Sequence, residues 1–383
     1  MAEHKRLRIG LLFGGRSSEH EVSLMSARSV LEALDPACYE VVQIGITKEG
    51  RWLVAGDAVT RLVERAGTGG ALEGEVEDTA PVALLGDPSR GGRLLPVSGR
   101  PGPPVLDPPV LDRPLDVVFS LVHGRTGEDG ALQGLFELAG VPYVGAGILG
   151  SALGMDKTVA KRLWLAAGLP VGEHLVTTAR RWREDPTAVQ GEVAGQLGFP
   201  CFVKPANSGS SIGVHKVHAL EELAPALEDA ARYDVKLLVE SAIEGRELEC
   251  GVLGNDEPEA SVVGEVVPGH EFYDYEDKYF DDVVRLVIPA ELPAETAAEV
   301  RAVAVRAFRA VEAAGMARVD FFLERSSGRV LLNEINTIPG FTRMSMYPRL
   351  WEASGVPFPR LCDRLVELAL ERARERGALR PIR

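Results

Sequence analysis

The run RVDFFLERSSGRVLLNEIN, residues 318 to 336, has the residue types of a cation site. Two apolar-rich strands flank a turn-rich ERSSGR, the pattern of a hairpin. Side chains alternate along a strand, so Glu334 and Asn336 share a face. If the turn centres on Ser327, position 320 faces 334 and 318 faces 336. Arg318, Asp320, Glu334 and Asn336 then gather on one side, with opposed Cβ atoms roughly 5 Å apart. Val319, Phe321, Leu323, Leu331 and Ile335 cover the other. Two carboxylates and an amide oxygen suit a hard cation such as Mg²⁺, and Arg318 would meet a nearby anion. The same alternation also fits a solvated hairpin face, although Phe322 and Leu332 on the polar side count against simple solvation.

Three further stretches have chemical potential. FVKPANSGSSIGVHKV is a strand, a Ser/Gly loop and a strand; successive loop N–H groups can cradle phosphate oxygens, and Lys204 would reach them. No G-K-[ST] opens a helix, so this is not a Walker A loop. LLVESAIEGRELE has Glu240 at a strand end, a short connection and Glu247 in the next strand; a nucleotide there could bond its base to the connecting backbone and its ribose to a carboxylate. HEFYDYEDKYF holds five aromatics between 272 and 280, a composition suited to a loop that covers a site and excludes water. Two surface glutamates, an ordinary turn and a packing loop are the plainer readings of these three. The chain has eight Lys against 34 Arg. Lysines kept in GMDK, FVKPANSGSS and YEDKY therefore suggest a need for a compact ammonium.

Positioning these groups requires several elements. LRIGLLFGG is a continuous apolar strand, as in a parallel sheet. SSEHEVSLMSARSVLEAL then opens a helix, with Ser18 and Glu21 spaced as a capping box. YEVVQIGIT and LDVVFSLVHG add strands, and ALQGLFELAG a helix. This alternation predicts an open α/β unit with its ligand site at the carboxyl ends of the strands, where FGGRSSEHE and HGRTGEDG sit. Residues 63 to 114, with seven prolines between Pro96 and Pro114, read as an irregular insertion. After about 147 a helix, short strands and then a strand-rich stretch imply α+β organisation. Three domains are expected, at 1–146, 147–239 and 240–383, with a cleft between the second and third.

At 383 residues the chain exceeds one small core. Its net charge of −14 disfavours nucleic acid as a partner but permits a small anion in a local positive pocket. The start shows no signal-peptide pattern and no run reaches the roughly 18 apolar residues of a membrane span, so a cytoplasmic location is expected. The four cysteines are widely spaced and read as buried thiols.

FGGRSSEHEVS, HGRTGEDGALQG, MDK, KPANSGSSIG, EGRELE, YDYEDKY, RVDFFL and NEINTIPGFTRMSMYP, in this order, resemble the ATP-grasp superfamily and, more narrowly, the D-alanine–D-alanine ligases. The resemblance runs nearly end to end; the 63–114 stretch stands outside it. It implies that ATP phosphorylates one D-alanine and that the amine of a second attacks the acyl phosphate. Lys157 and Lys204 would hold phosphates with Ser211 closing over them. Glu240, Ala242, Ile243 and Glu247 would hold adenosine, and Asp320, Glu334 and Asn336 two Mg²⁺, or Mn²⁺. Glu19 would pair with the first ammonium near His123, in a hydrogen-bonded set with Ser210 and Tyr279. Lys278 would reach the transferring phosphate. Arg318 and the Gly340 N–H would stabilise an oxyanion. Ser345 would take the second carboxylate, with Met346 beside it. A homodimer in the cytoplasm is also implied. A D-alanine–D-lactate ligase, or another carboxylate–amine ligase of this fold, is the alternative; the intact YDYEDKY favours an amine as second substrate.

Overall fold

The computed structural model describes residues 6–54, 80–97, 113–267 and 285–379. Three sheets make its framework. The first runs β5-β4-β3-β2-β1-β6, from β1 (Leu7–Gly14), β2 (Tyr39–Ile46), β3 (Trp52–Val54), β4 (Ala80–Leu84), β5 (Leu94–Pro96) and β6 (Val117–Ser120). β1 is parallel to β2 and β6, while β3 to β5 extend the sheet antiparallel. The parallel centre follows from the apolar runs LRIGLLFG and VVFS, which are buried on both faces.

The irregular insertion expected at 63–114 needs correction. Within it, β4 and β5 are paired strands, and Val82, Leu84 and Leu94 are buried in the same core as Leu12, Ile44 and Phe136. Short apolar alternations in PVAL and RLLP survive among the prolines that masked them. Residues 63–79 and 98–112 of that stretch lie outside the described residues.

The second sheet is antiparallel, ordered β7-β10-β8-β9: β7 (His174–Thr178), β8 (Cys201–Pro205), β9 (His215–Val217) and β10 (Lys236–Ser241). The third is also antiparallel, ordered β13-β12-β11-β14-β15: β11 (Gly245–Gly254), β12 (Glu259–Val267), β13 (Arg285–Val287), β14 (Gly315–Glu324) and β15 (Val330–Asn336). Helix Ala294–Ala310 packs Val300, Ala304 and Phe308 on this sheet, and Trp164 of helix Lys157–Ala166 joins the same core.

Register explains how the hairpin works. Arg318 pairs with Asn336 and Asp320 with Glu334, as expected from a turn at Ser327, but the register then shifts between Asp320 and Phe321. Phe321 faces Leu332 instead of Asn333, so β15 holds one extra residue at a bulge. The bulge turns Leu332 into the core with Phe321, Val330 and Ile335, where the unbroken alternation had set it on the polar face. Phe322 stays with Asp320 on the cleft side.

The segment after β15 is pinned from both ends of the molecule. Phe341 is fully buried, its ring against Phe119, Tyr347 and Phe358 at centroid distances of 5.8, 6.0 and 5.4 Å. The first sheet and the closing helix Phe358–Gly377 thus share a core that fixes the Pro339–Gly340 turn. No helix among the described residues is long and apolar enough to cross a membrane.

Candidate active site

One cleft of about 1580 Å³ lies where the three sheets meet. It draws Glu19 and His123 from the first, Lys204 and Glu240 from the second, and Arg318, Asp320, Glu334 and Asn336 from the third. Lys157, Ser210, Ser211, Ala242, Ile243, Glu247, Gly340, Ser345 and Met346 also line it. Lys278 and Tyr279 lie outside the described residues.

Glu19 follows the carboxyl end of β1. Helix His20–Ala33 starts directly after it, so the capping role expected of Ser18 is not observed; Glu19 occupies the N-cap position without a side-chain cap bond. Its carboxylate instead points into the cleft and accepts a hydrogen bond from the Ser210 hydroxyl. Ser210 and Ser211 hold φ of 50° and 57°, a left-handed backbone that non-glycine residues rarely keep outside tightly constrained sites. Glycines on both sides allow this approach: a Cβ on Gly124 would meet Glu19 Oε2 at 3.0 Å and one on Gly209 at 3.3 Å.

Below Glu19, the buried His123 donates from Nδ1 to the Ile338 carbonyl at 3.0 Å, and its Nε2 lies 3.5 Å from the Ser26 hydroxyl. Burial lowers its pKa, against the pull of Glu19. Glu128, which the sequence reading passed over within HGRTGEDG, is also buried. Its Oε2 accepts the Gly124 N–H at 2.9 Å, and burial together with the charge of Glu19 holds its pKa well above the carboxylate range. The Glu19 carboxylate, a Glu128 carboxyl held toward its protonated form and an imidazole held toward neutral suit this end of the cleft to a cation.

The opposite end is rich in ammonium groups. Asp156 caps helix Lys157–Ala166, accepting the N–H of Thr158 and Val159, and so sets Lys157 at the first helical position. Lys157 Nζ bonds the Ser208 carbonyl at 2.9 Å and Glu334 at 3.2 Å. Lys204 Nζ is 2.5 Å from Glu240 Oε2, and Lys161 Nζ is 2.7 Å from Glu240 Oε1. Burial alone would raise the Glu240 pKa, but the two lysines overcome it and hold the carboxyl at about 2. Lys161 was missed; its signal was a second scarce lysine one helical turn after Lys157. The Ala242 N–H, in the connection expected to meet a base, donates to the Pro200 carbonyl at 3.1 Å. That donor is therefore engaged within the fold.

On the hairpin, Arg318 grips Asp320 through Nε and Nη2 at 2.7 and 2.6 Å, and Nε also lies 3.0 Å from Glu249. Burial opposes the guanidinium charge, yet Asp320 and Glu249 outweigh it and hold its pKa well above the ordinary value. Glu249, opposite Asp320 on β11, is a further cleft residue that went unnoticed in EGRELE. Among the described residues, no three His, Cys, Asp or Glu side chains already converge as a metal site. Asp320, Glu334 and Asn336 still present only oxygen donors from one face, the set a hard cation takes. Each carboxylate is balanced by a side-chain cation, Asp320 by Arg318 and Glu334 by Lys157.

Ser345 precedes helix Met346–Ala353, but its hydroxyl makes no cap bond. It lies 2.7 Å from the Thr342 hydroxyl and accepts the Thr342 N–H at 3.1 Å, so Thr342 belongs to the same polar pair. Met346 lines the cleft and also reaches the core. Its side chain packs with Val266 and Leu350, and a Cβ on Gly264 would meet its sulfur at 2.8 Å. The thioether fills the core beneath the cleft rim, as its apolar character favours.

Comparison with known proteins matches both halves of the chain. The family model "D-ala D-ala ligase N-terminus" matches residues 8–146, and "D-ala D-ala ligase C-terminus" matches 163–367. A D-alanine–D-alanine ligase from Thermoanaerobacter sp. (strain X514) is 48% identical, covering 97% of this chain and 99% of its own. One from Geobacillus thermodenitrificans (strain NG80-2) is 45% identical, covering 97% of each. Among solved structures, the VanG D-Ala:D-Ser ligase from Enterococcus faecalis superposes with a TM-score of 0.82 at 34% identity, covering 95% of this chain and 100% of that one. The D-alanine–D-alanine ligase from Coxiella burnetii gives 0.81 at 35% identity, covering 98% and 97%.

Proposed function

The chain belongs to the D-alanine–D-alanine ligase family, and from that premise we infer that it joins two D-alanines with ATP to form D-alanyl-D-alanine, a peptidoglycan precursor. The observation that carries this reading is the single cleft in which an anionic end and an ammonium-rich end face the Arg318–Asp320 hairpin. Glu19, steadied by Ser210, receives the ammonium of the first D-alanine, with Glu128 and His123 beneath. Its carboxylate then faces the nucleotide end. Lys157 and Lys204 exchange Glu334 and Glu240 for phosphate oxygens, while Ile243 and Glu247 flank the adenosine. Phosphoryl transfer depends mostly on such positioning and charge neutralisation.

Asp320, Glu334 and Asn336 would hold two Mg²⁺ or Mn²⁺ ions, which supply neutralising charge to the phosphate chain. Arg318, held by both Glu249 and Asp320, would face the oxyanion formed when the second amine attacks. The Gly340 N–H is the second donor. The Thr342–Ser345 pair receives the second carboxylate. The enzyme acts as a cytoplasmic homodimer and binds no nucleic acid.

ADP release with D-alanine, L-alanine, D-serine and D-lactate tests this reading. Turnover with D-alanine alone and little with L-alanine or D-lactate is expected. The likeness to VanG makes D-serine the informative competitor: a higher kcat/KM for D-serine as second substrate would replace this reading with the D-Ala:D-Ser one.

A further inference from the structure

Lys161 has 1% of its surface exposed and no place in the reaction as described. It contacts Glu240 at 2.7 Å and the carbonyl oxygen of Asn333, the bulge residue of β15, at 3.0 Å. It therefore ties helix Lys157–Ala166 to both the second and the third sheet. Glu240 meanwhile serves Lys204 with its other oxygen at 2.5 Å. One carboxylate thus serves two ammonium groups directly, with Glu334 and Glu247 acting on Lys204 from farther away. A buried carboxylate that loses its last direct cation partner is costly to keep ionised.

The two lysines are not equivalent. Both line the cleft, but the Lys161 side chain is 2% exposed and has a second partner in the Asn333 backbone carbonyl, whereas Lys204 is 13% exposed. Taking Lys204 as a phosphate ligand, as in the reading above, its exchange of Glu240 for phosphate would strand a buried carboxylate unless another cation stayed behind. We propose that Lys161 is that cation: a positioning residue that retains Glu240 as an ordered anion and so frees Lys204 for the polyphosphate of the nucleotide. Without it, Lys204 and Glu240 form a neutral pair that a phosphate must break with nothing to replace the lost partner.

Calorimetric titration of the full chain with ATP and with adenosine tests this. Lys161→Gln keeps reach toward Glu240 and Asn333 but removes the charge; Lys161→Arg keeps the charge. ATP affinity should fall about tenfold or more in Lys161→Gln, with adenosine affinity within about twofold and most of the ATP loss recovered in Lys161→Arg. In a Lys204→Met background the same Lys161→Gln change should add little, because the partner it frees is gone. Equal losses for ATP and adenosine would mean that Lys161 only shapes the cleft, and unchanged ATP affinity in folded Lys161→Gln would also overturn the proposal. Should Lys161→Gln not fold, Lys161→Arg decides: near-parental ATP affinity supports a charge role, and a loss shared by adenosine refutes it. Lys204→Met separates the two layers. If it leaves ATP affinity intact, the phosphate role of Lys204 fails; if it weakens ATP while Lys161→Gln does not, only the present proposal fails.

Discussion

The two ends of the cleft solve opposite electrostatic problems. Around Glu19, carboxylates predominate: Glu128 is buried beneath, His123 is held toward its neutral form, and the direct partner of Glu19 is a hydroxyl. Around Glu240, cations predominate, and both ammonium groups are already paired through it. Among the described residues no cation pairs with Glu19, so a ligand can bring that charge. The second holds positive charge that a ligand must take over from a protein carboxylate. In the proposed reading, an amino acid with its ammonium and a nucleotide with its phosphates supply these complements, so charge would help sort the two substrates.

The sharpest way to break this contrast is Glu19→Gln. Removing the charge while keeping the side-chain size should lower D-alanine affinity at the first site by about 2–4 kcal/mol, roughly 30- to 1000-fold. ATP affinity, measured separately by titration, should change little. An ATP loss as large as the D-alanine loss would mean that the two ends act as one electrostatic unit.

A smaller effect concerns protons. The Glu128 carboxyl is pushed well above its ordinary range first by burial and then by Glu19. An arriving ammonium favours the ionised carboxylate, so D-alanine binding should release a proton. Calorimetry in two buffers of different ionisation enthalpy reads this directly. Glu128→Gln should abolish the release and weaken D-alanine about tenfold. Equal heats in the two buffers for the unmodified protein would place Glu128 outside the ammonium site.

Local periodicity made much of this legible. Asp320 faces Glu334, and Arg318 faces Asn336, because a strand repeats every two residues and the turn at Ser327 sets the register. The bulge that moved Leu332 was not legible, since one extra residue leaves no mark in an apolar run. Charge scarcity pointed to Lys157 and Lys204. The same signal at Lys161 needed the helical repeat, and its meaning needed the third dimension: Glu240 and Asn333 come from strands far apart in sequence. β4 and β5 were hidden because proline and glycine counts outweigh two short apolar segments. The packing of Met346 was not legible, because the helix that follows β15 turns its side chain onto β12, a contact set by packing between elements.

The smallest predicted effect tests whether the amino-acid end really keeps its imidazole neutral. The buried His123 donates from Nδ1 to a carbonyl, and burial depresses its pKa below the ordinary 6.5. Above pH 6.5 both the folded and unfolded chains hold this side chain neutral, and its contribution to stability is fully present. As pH falls below 6.5 the unfolded chain takes up a proton that the folded imidazole refuses. Stability is then lost by up to about 1.4 kcal/mol per pH unit until the folded pKa is reached. His123→Gln removes this difference, so urea unfolding at pH 7.5 and 5.5 should show a smaller loss in the variant than in the parent chain, even if the variant is less stable throughout. Equal losses would mean that His123 accepts its proton while folded. The pocket under Glu19 would then already contain a cation, and the contrast between the two ends would shrink to a difference in shape.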